Sequence, residues 1–350
     1  MERTLHRTLI IRLSSVGDIV LSSLLIRVLR KRFPDARIDY LVKDEYAGLV
    51  QGNPHLTEVL TLRSGTGFSE LRDLRKTIHA RGYDLIIDIH DSLRSRFICL
   101  LGPPAVRVRK RKIARFFLVR FKLDFYRFFG GAPSVAERYI EPLRRHGVRD
   151  DGFGLEIFIT PEDTRMASET IGPGRFPEKP VIGIAPSARH WNKMWQTEKF
   201  AETAITLYAA RGAGFLLFGS PEEAPRCARI AALISERVPA AHVLNLAGRL
   251  NLGETAAAMD RCDIVISNDS GLMHLAAGRK RKVVALFGPT VRAFGFYPFG
   301  TDSVVIENAD LRCRPCTAIG LDVCPRQHFR CMADIPASWA VDGVNQLLVR

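Results

Sequence analysis

No apolar run in this 350-residue chain is long enough to span a membrane, and the opening Met-Glu-Arg-Thr-Leu-His-Arg-Thr lacks the apolar stretch of a secretory signal. Both absences point to the cytoplasm. Cysteine is odd in number, at seven, and Cys99, Cys227 and Cys262 stand in apolar or helical surroundings, which argues for reduced thiols over a disulfide framework. No Gly-x-Gly-x-x-Gly fingerprint follows the first strand-like segment, which speaks against nicotinamide or flavin binding. Acidic residues are in deficit, 37 against 51 Lys and Arg, and the resulting net charge of +14 calls for an acidic partner. Nucleic acid is one such partner, but zinc-finger, RNP and regular basic-helix patterns are all missing.

The basic excess is concentrated at Arg107, Arg109, Lys110, Arg111, Lys112, Arg115, Arg120 and Lys122, interleaved with Ile113, Phe116, Phe117, Leu118, Val119, Phe121 and Leu123. Such a surface segment suits anionic lipid head groups, because basic side chains meet phosphates while aromatic ones enter the interface. A merely solvated charged face would leave those apolar residues in water.

Short apolar segments alternate with helical patterns, the signature of parallel sheets with crossover helices. In the first half, strands are expected at Thr8–Leu13, Arg37–Val42, Glu58–Leu62, Tyr83–Asp88 and Ala105–Val108. Helices are expected at Ile19–Phe33, Phe68–Arg81, Ser92–Leu101 and Val135–Arg145. From about Thr160 to Lys179 the pattern breaks, and Pro161, Gly172, Pro173, Gly174, Pro177 and Pro180 mark a linker. The second half repeats the pattern, with strands at Val181–Ala185, Phe215–Phe218, Val243–Leu246, Ile264–Ser267 and Val283–Phe287. Its helices are expected at Thr197–Arg211, Glu222–Arg237, Leu252–Met259 and Gly271–Gly278, followed by a terminal helix over Pro336–Leu348 packed on one or both halves. The expected organisation is two Rossmann-like domains, 1–165 and 175–335, facing an interdomain cleft, with a C-terminal helix at 336–350.

Several segments carry chemistry. Ser267 to Ala277 reads Ser-Asn-Asp-Ser-Gly-Leu-Met-His-Leu-Ala-Ala and follows the apolar run Cys262–Ile266. Asp269, Ser270 and Gly271 therefore sit where a strand's carboxyl end meets a helix amino terminus. Unpaired first-turn amides and the helix dipole make that a phosphate-binding address, unless Asp269 is a plain N-cap. His274, one turn on, either faces the same crevice or is a satisfied core residue. After the first strand, Ser14-Ser15-Val16-Gly17-Asp18 places a carboxylate at a helix start, as a cap or as a general base for a sugar hydroxyl. Lys193, two residues before Trp195, is placed to neutralise a diphosphate leaving group or is an ordinary surface lysine. Glu222 and Glu223, in Phe218-Gly219-Ser220-Pro221-Glu222-Glu223, either meet a ribose diol or complement a helix dipole.

In this order, and with Phe287-Gly288-Pro289-Thr290 and Ala136-Glu137-Arg138-Tyr139, these segments resemble the glycosyltransferase family 9 heptosyltransferases over nearly the whole chain. The resemblance implies a GT-B fold and inverting transfer of L-glycero-D-manno-heptose from ADP-heptose to the inner core of lipopolysaccharide. It implies Asp18 as catalytic base, Lys193 as diphosphate contact and Glu223, or its neighbour Glu222, as nucleoside contact. Asp269, Ser270, Gly271, Leu272 and His274 match the donor-binding turn. Arg63, His90, Asp91 and Arg94 in first-half strand-end loops would meet the acceptor, and the basic segment fits an anionic glycolipid at the inner leaflet. A transferase or epimerase using another sugar nucleotide is the enzymatic alternative, and a basic nucleic-acid-binding protein the non-enzymatic one.

No Asp-x-Asp motif stands at a strand end, so no obligatory divalent ion is expected. Cys313-x2-Cys316-x7-Cys324-x6-Cys331 lacks a second Cys-x-x-Cys knuckle, and structural zinc, a redox-active pair and unligated thiols all stay open.

Overall fold

Continuous apolar runs become buried parallel strands. The computed structural model describes residues 4–108, 111–129, 131–174, 176 and 180–349. Arg109 and Lys110 of the basic segment, and Pro177 and Lys179 of the expected linker, lie outside the described residues.

The first unit holds β1 (Arg7–Ile11), β2 (Arg37–Lys43), β3 (Glu58–Leu62), β4 (Leu85–Asp88) and β5 (Ala105–Arg107), all parallel in the order β3-β2-β1-β4-β5. Ile11 lies opposite Leu41 on one side and Asp88 on the other, so β1 and β4 end level while β2 continues to Lys43. The first helices are α1 (Val16–Leu21), α2 (Ser23–Arg32), α3 (Phe68–Ala80) and α4 (Leu93–Cys99), followed by α5 (Lys112–Phe121), α6 (Val135–Ile140) and α7 (Pro161–Ile171).

The second unit holds β6 (Val181–Ala185), β7 (Gly214–Leu217), β8 (Val243–Asn245), β9 (Ile264–Asn268), β10 (Lys282–Phe287) and β11 (Ser303–Glu307), in the order β11-β10-β9-β6-β7-β8. Ala185 faces Ser267, and Leu286 faces Asn268. Its helices are α8 (Thr197–Arg211), α9 (Ala224–Arg237), α10 (Leu252–Met259), α11 (Gly271–Gly278), α12 (Arg330–Ala333) and α13 (Ala337–Val349). Every residue of β6 and β9 is buried, as a central strand covered on both faces requires. Each sheet reverses its strand order once, between β1 and β4 and between β6 and β9, and doubly wound sheets collect ligands beyond the carboxyl ends at that point.

The two expected α/β units are present, with several differences. Helix Ile19–Phe33 is two helices, and Ser22 marks the break, its hydroxyl bonding to Ile19 O (2.7 Å) and to the Tyr40 hydroxyl (2.8 Å). The expected linker opens with α7: Pro161 occupies the first turn, where its missing N–H costs nothing, and Thr160 and Asp163 form a capping box. Gly172, at φ +84°, then ends the helix. Val135–Arg145 is α6 followed by a 3-10 turn, Glu141–His146, begun at Pro142. β11 and α12 lie outside the expected elements; α12, at four residues, is too short to show a period.

The division also departs from contiguous 1–165 and 175–335 segments. One unit comprises Met1–Lys110 and Val135–Phe158, the other Arg111–Ser134 and Ile159–Arg350. The cause is apolar: Ala114 and Leu118 of α5 and Tyr126 bury against Phe294 of the second unit. Helix α13 packs on α8, β9, β10 and β11 of that same unit. Among the described residues, no helix is long and apolar enough to cross a membrane.

Candidate active site

Asp18 stands in the first turn of α1, just beyond the carboxyl end of β1. It does not cap that helix. The N-cap is Ser15, which makes no side-chain cap bond, and the Asp18 carboxylate faces other groups. Arg12 Nη2 lies 2.5 Å from Asp18 Oδ2, the Tyr139 hydroxyl donates to Oδ1 at 2.8 Å, and Ser15 Oγ donates to Oδ2 at 3.3 Å. Arg12 also donates through Nη1 to Ile89 O (2.8 Å), which ties the loop after β4 to the Asp18 site across the switch point. Burial opposes the Arg12 charge, but Tyr139 and Asp18 outweigh it and hold its pKa above the usual arginine value. Burial pushes the Tyr139 phenol well up, so it stays protonated and donates. The arrangement fixes the Asp18 carboxylate in orientation beside a cation.

The residues expected to meet an acceptor lie at the carboxyl end of the same sheet, in loops or, for Arg94, in the first turn of α4. Asp88 Oδ1 accepts from the amides of His90 (3.1 Å) and Asp91 (2.8 Å), shaping the turn after β4, where Asp91 adopts φ +49°. Asp91 is not presented as a free carboxylate, since Arg96 Nε donates to its Oδ1 at 2.7 Å. Arg94 is exposed in the first turn of α4, whose N-cap Ser92 forms a capping box with Ser95. Arg63 is exposed after the edge strand β3, the farther side of the sheet from β4.

In the second unit, Lys193 and Asp269 meet at the β6/β9 switch point. Lys193 Nζ lies 2.7 Å from Asp269 Oδ2, and the Thr290 hydroxyl donates to the same oxygen at 2.7 Å. Lys193 is thus no ordinary surface lysine, its side chain being only 13% exposed. Asp269 is no N-cap either: Ser270 holds that position, without a side-chain cap bond, and its hydroxyl lies 3.2 Å from Ser267 Oγ. The first-turn amides of α11 at Gly271 and Leu272 thus receive no capping from it, which suits an anion. His274 is buried, its ring 6.4 Å from that of Phe296. Glu223 caps: its Oε2 accepts from Ser220 N (2.9 Å), and Ser220 and Glu223 form a capping box at the start of the turn leading into α9. Burial raises its carboxyl above the ordinary glutamate range, and the Ser220 amide partly offsets that. Glu222 beside it is exposed.

Sequence reading assigned no role to Arg12, Tyr139, Thr290, Ser187 or Arg314. Ser187, just past β6, is buried, and its hydroxyl has no partner among the described residues. The Lys193 loop is braced by Asn268, which accepts from Trp195 N (3.1 Å) and donates to Pro186 O (2.6 Å). The cysteine-rich loop braces it from another side. Asn192 exchanges bonds with Leu321, its backbone N–H donating to Leu321 O (3.1 Å) and its side-chain Oδ1 accepting from Leu321 N (2.9 Å). Buried Arg314 donates to Gly288 O (2.5 Å), Asn308 O (2.7 Å), Thr290 O (2.9 Å) and Glu307 Oε2 (2.5 Å), pinning the loop that carries Thr290. Arg314→Met should cost about 3 kcal/mol, because it strands these acceptors, and thermal denaturation of the variant measures it. None of the seven cysteines is in a disulfide, and no group of three or more metal-ligating side chains is arranged to hold an ion among the described residues.

A model of glycosyltransferase family 9 (heptosyltransferase) matches residues 71–321. The lipooligosaccharide heptosyltransferase 2 of Haemophilus influenzae is 30% identical over 357 residues, covering 98% of this chain and 99% of that protein. Among solved structures, a Veillonella parvula glycosyl transferase of family 9 superposes with a TM-score of 0.78 at 22% identity, covering 100% of this chain and 99% of its own. The Escherichia coli ADP-heptose lipopolysaccharide heptosyltransferase II superposes at 0.73 and 24% identity, covering 98% of both chains. Both structural likenesses speak for the GT-B fold.

Proposed function

The chain belongs to glycosyltransferase family 9, the heptosyltransferases, and on that premise we propose that it transfers L-glycero-D-manno-heptose from ADP-heptose to the inner core of lipopolysaccharide with inversion. The observation that carries the mechanism is the Asp18 carboxylate held by Arg12 and Tyr139 at the β1/β4 switch point. An acceptor hydroxyl oxygen forms its bond to the anomeric carbon as the bond from that carbon to the diphosphate oxygen breaks. The hydroxyl proton passes to Asp18, and ADP leaves. A carboxylate paired with arginine is a weak base, but the hydroxyl becomes steeply more acidic as its oxygen bonds to carbon. A positioned carboxylate that takes the proton as the bond forms is what the step needs.

On the donor side, Lys193 spends one of its three donors on Asp269 and turns its charge toward the amino end of α11. The diphosphate then meets that ammonium, the amides of Gly271 and Leu272, and the hydroxyls of Ser270 and Ser187. Glu223 and His274 support the nucleoside side, Glu223 by accepting from a ribose diol with its second oxygen. Leaving-group charge is balanced by Lys193 and the helix, with no obligatory metal in the scheme. Arg63, His90, Asp91 and Arg94 are the acceptor contacts.

Helix α5 supports a peripheral position on the inner face of the inner membrane. Ile113 (77% exposed), Phe116 (58%) and, just beyond the helix, Phe128 (81%) stand out beside exposed Lys112 and Arg120. The triple variant I113S/F116S/F128S should lose most of its co-sedimentation with phosphatidylglycerol vesicles while its thermal melt is preserved.

The decisive experiment measures ADP release from ADP-heptose with defined acceptors ending in Kdo or in heptose, against UDP- and ADP-glucose controls. Release with another sugar nucleotide alone overturns the donor. Tyr139→Phe gives a finer check. It removes the hydroxyl that donates to Asp18 Oδ1 and so loosens the orientation of the carboxylate. Turnover should therefore fall severalfold while ADP affinity stays unchanged.

A further inference from the structure

Beside the end of α5 lies a surface cavity of about 610 Å³ whose lining includes Arg120, Lys122, Arg312, Arg326 and His328 and no carboxylate. We propose that this cavity is a binding site for phosphoryl anions, separate from the donor diphosphate site. Arg120, Arg312 and Arg326 enter no ion pair among the described residues. The carboxylate of Glu307, at the end of β11, is taken by Arg314, which is buried and is not part of the cavity lining.

Lys122 and His328 are held in place. Lys122, at φ +62°, ends α5, and its ammonium donates to Val119 O (2.7 Å) and Pro315 O (2.5 Å), fastening the helix to the cysteine-rich loop. Burial pulls the Lys122 pKa below the ordinary lysine value, and the like charge of Arg326 adds to that. Clustered like charges with no counter-charge are costly, and a bound anion relieves them. His328 Nδ1 accepts from Arg330 N (3.0 Å), which in the neutral ring leaves the proton on Nε2, 3.8 Å from Cys313 Sγ. Guanidinium forks match phosphoryl oxygens in pairs, which surface lysines alone do not. The volume suits a phosphorylated head group or a free phosphate ester, and exposed Phe121 at the rim meets the first of these with an apolar edge.

Cys313 and Cys316 also line the cavity and serve as reporters that do not depend on turnover. Alkylation by neutral iodoacetamide, resolved by peptide mass spectrometry, is followed with inorganic phosphate, glycerol phosphate, phosphatidylglycerol vesicles or phosphatidylcholine vesicles added. Cys331, buried with its thiol pushed up to about 12, is the silent internal control. Cys313 and Cys316 should label severalfold more slowly with phosphate-bearing probes of net negative charge and unchanged with phosphatidylcholine. Protection by phosphate and glycerol phosphate identifies the phosphoryl group itself as the ligand. Protection by phosphatidylglycerol alone identifies a lipid head group. R312E/R326E, and the milder R312Q/R326Q should the first fail to fold, should abolish protection even on vesicles that still sediment with the protein. Unchanged labelling with every anion, or full protection retained in a folded charge-altered variant, overturns the site.

Discussion

Asp18→Asn should retain ADP-sugar binding and lose turnover by about 10²–10⁴-fold, the usual contribution of a positioned acid or base. Asparagine keeps the shape: its carbonyl oxygen can take the Oδ2 place and accept from Arg12, while its amide donates to the Tyr139 hydroxyl, so the donor unit should melt as before. What is lost is the ability to take a proton. Calorimetric titration of ADP into the variant, beside kcat from ADP release, separates the two effects. Turnover close to the native rate would remove Asp18 from the role of base. The pairing with Arg12 makes a further demand: Arg12→Ala should lower kcat as well, by freeing the carboxylate to rotate, while Arg12→Lys should recover part of the loss.

Lys193→Met should lower kcat/KM by about 10²–10³-fold, the scale for removing one preorganised charge or donor at a leaving group. Unlike the first substitution it should act on donor affinity too, since the ammonium is present before the bond breaks. It leaves Asp269, only 7% exposed, with the Thr290 hydroxyl as its remaining named partner, and an uncompensated buried carboxylate destabilises the fold. The double variant K193M/D269N tests this directly. It should recover the melting temperature while kcat/KM stays low, and recovery of both would reduce Lys193 to a structural ion pair.

The strands were legible wherever both faces of a sheet are covered, because β6, β9 and β10 are apolar runs without competing signals. Asp18 and the Asp269–Gly271 turn were legible for the same reason: each follows such a run and opens a helix. Their partners were not. Tyr139 reaches Asp18 from a helix that lies far along the chain, and no local period announces that meeting. Arg12 and Thr290 look like ordinary strand-end residues until the fold brings a carboxylate to each. Pro161 misled because proline breaks a helix from within yet starts one at the first turn. Glu223 shows the converse: a residue singled out for a ligand is also a capping-box partner, and spacing alone does not separate the two.

The apolar partner of α5 lies far downstream, and the ribosome makes the chain in one direction. Ala114 and Leu118 are synthesised long before Phe294, against which they bury. At ordinary elongation speeds the interval is roughly ten seconds or more. During that time the first sheet can assemble, but an oily, basic helix protrudes from the growing polypeptide with nothing to cover it. That nascent stage is the one most open to chaperone capture or premature adhesion to a bilayer, and a gene cut after residue 160 would make it permanent.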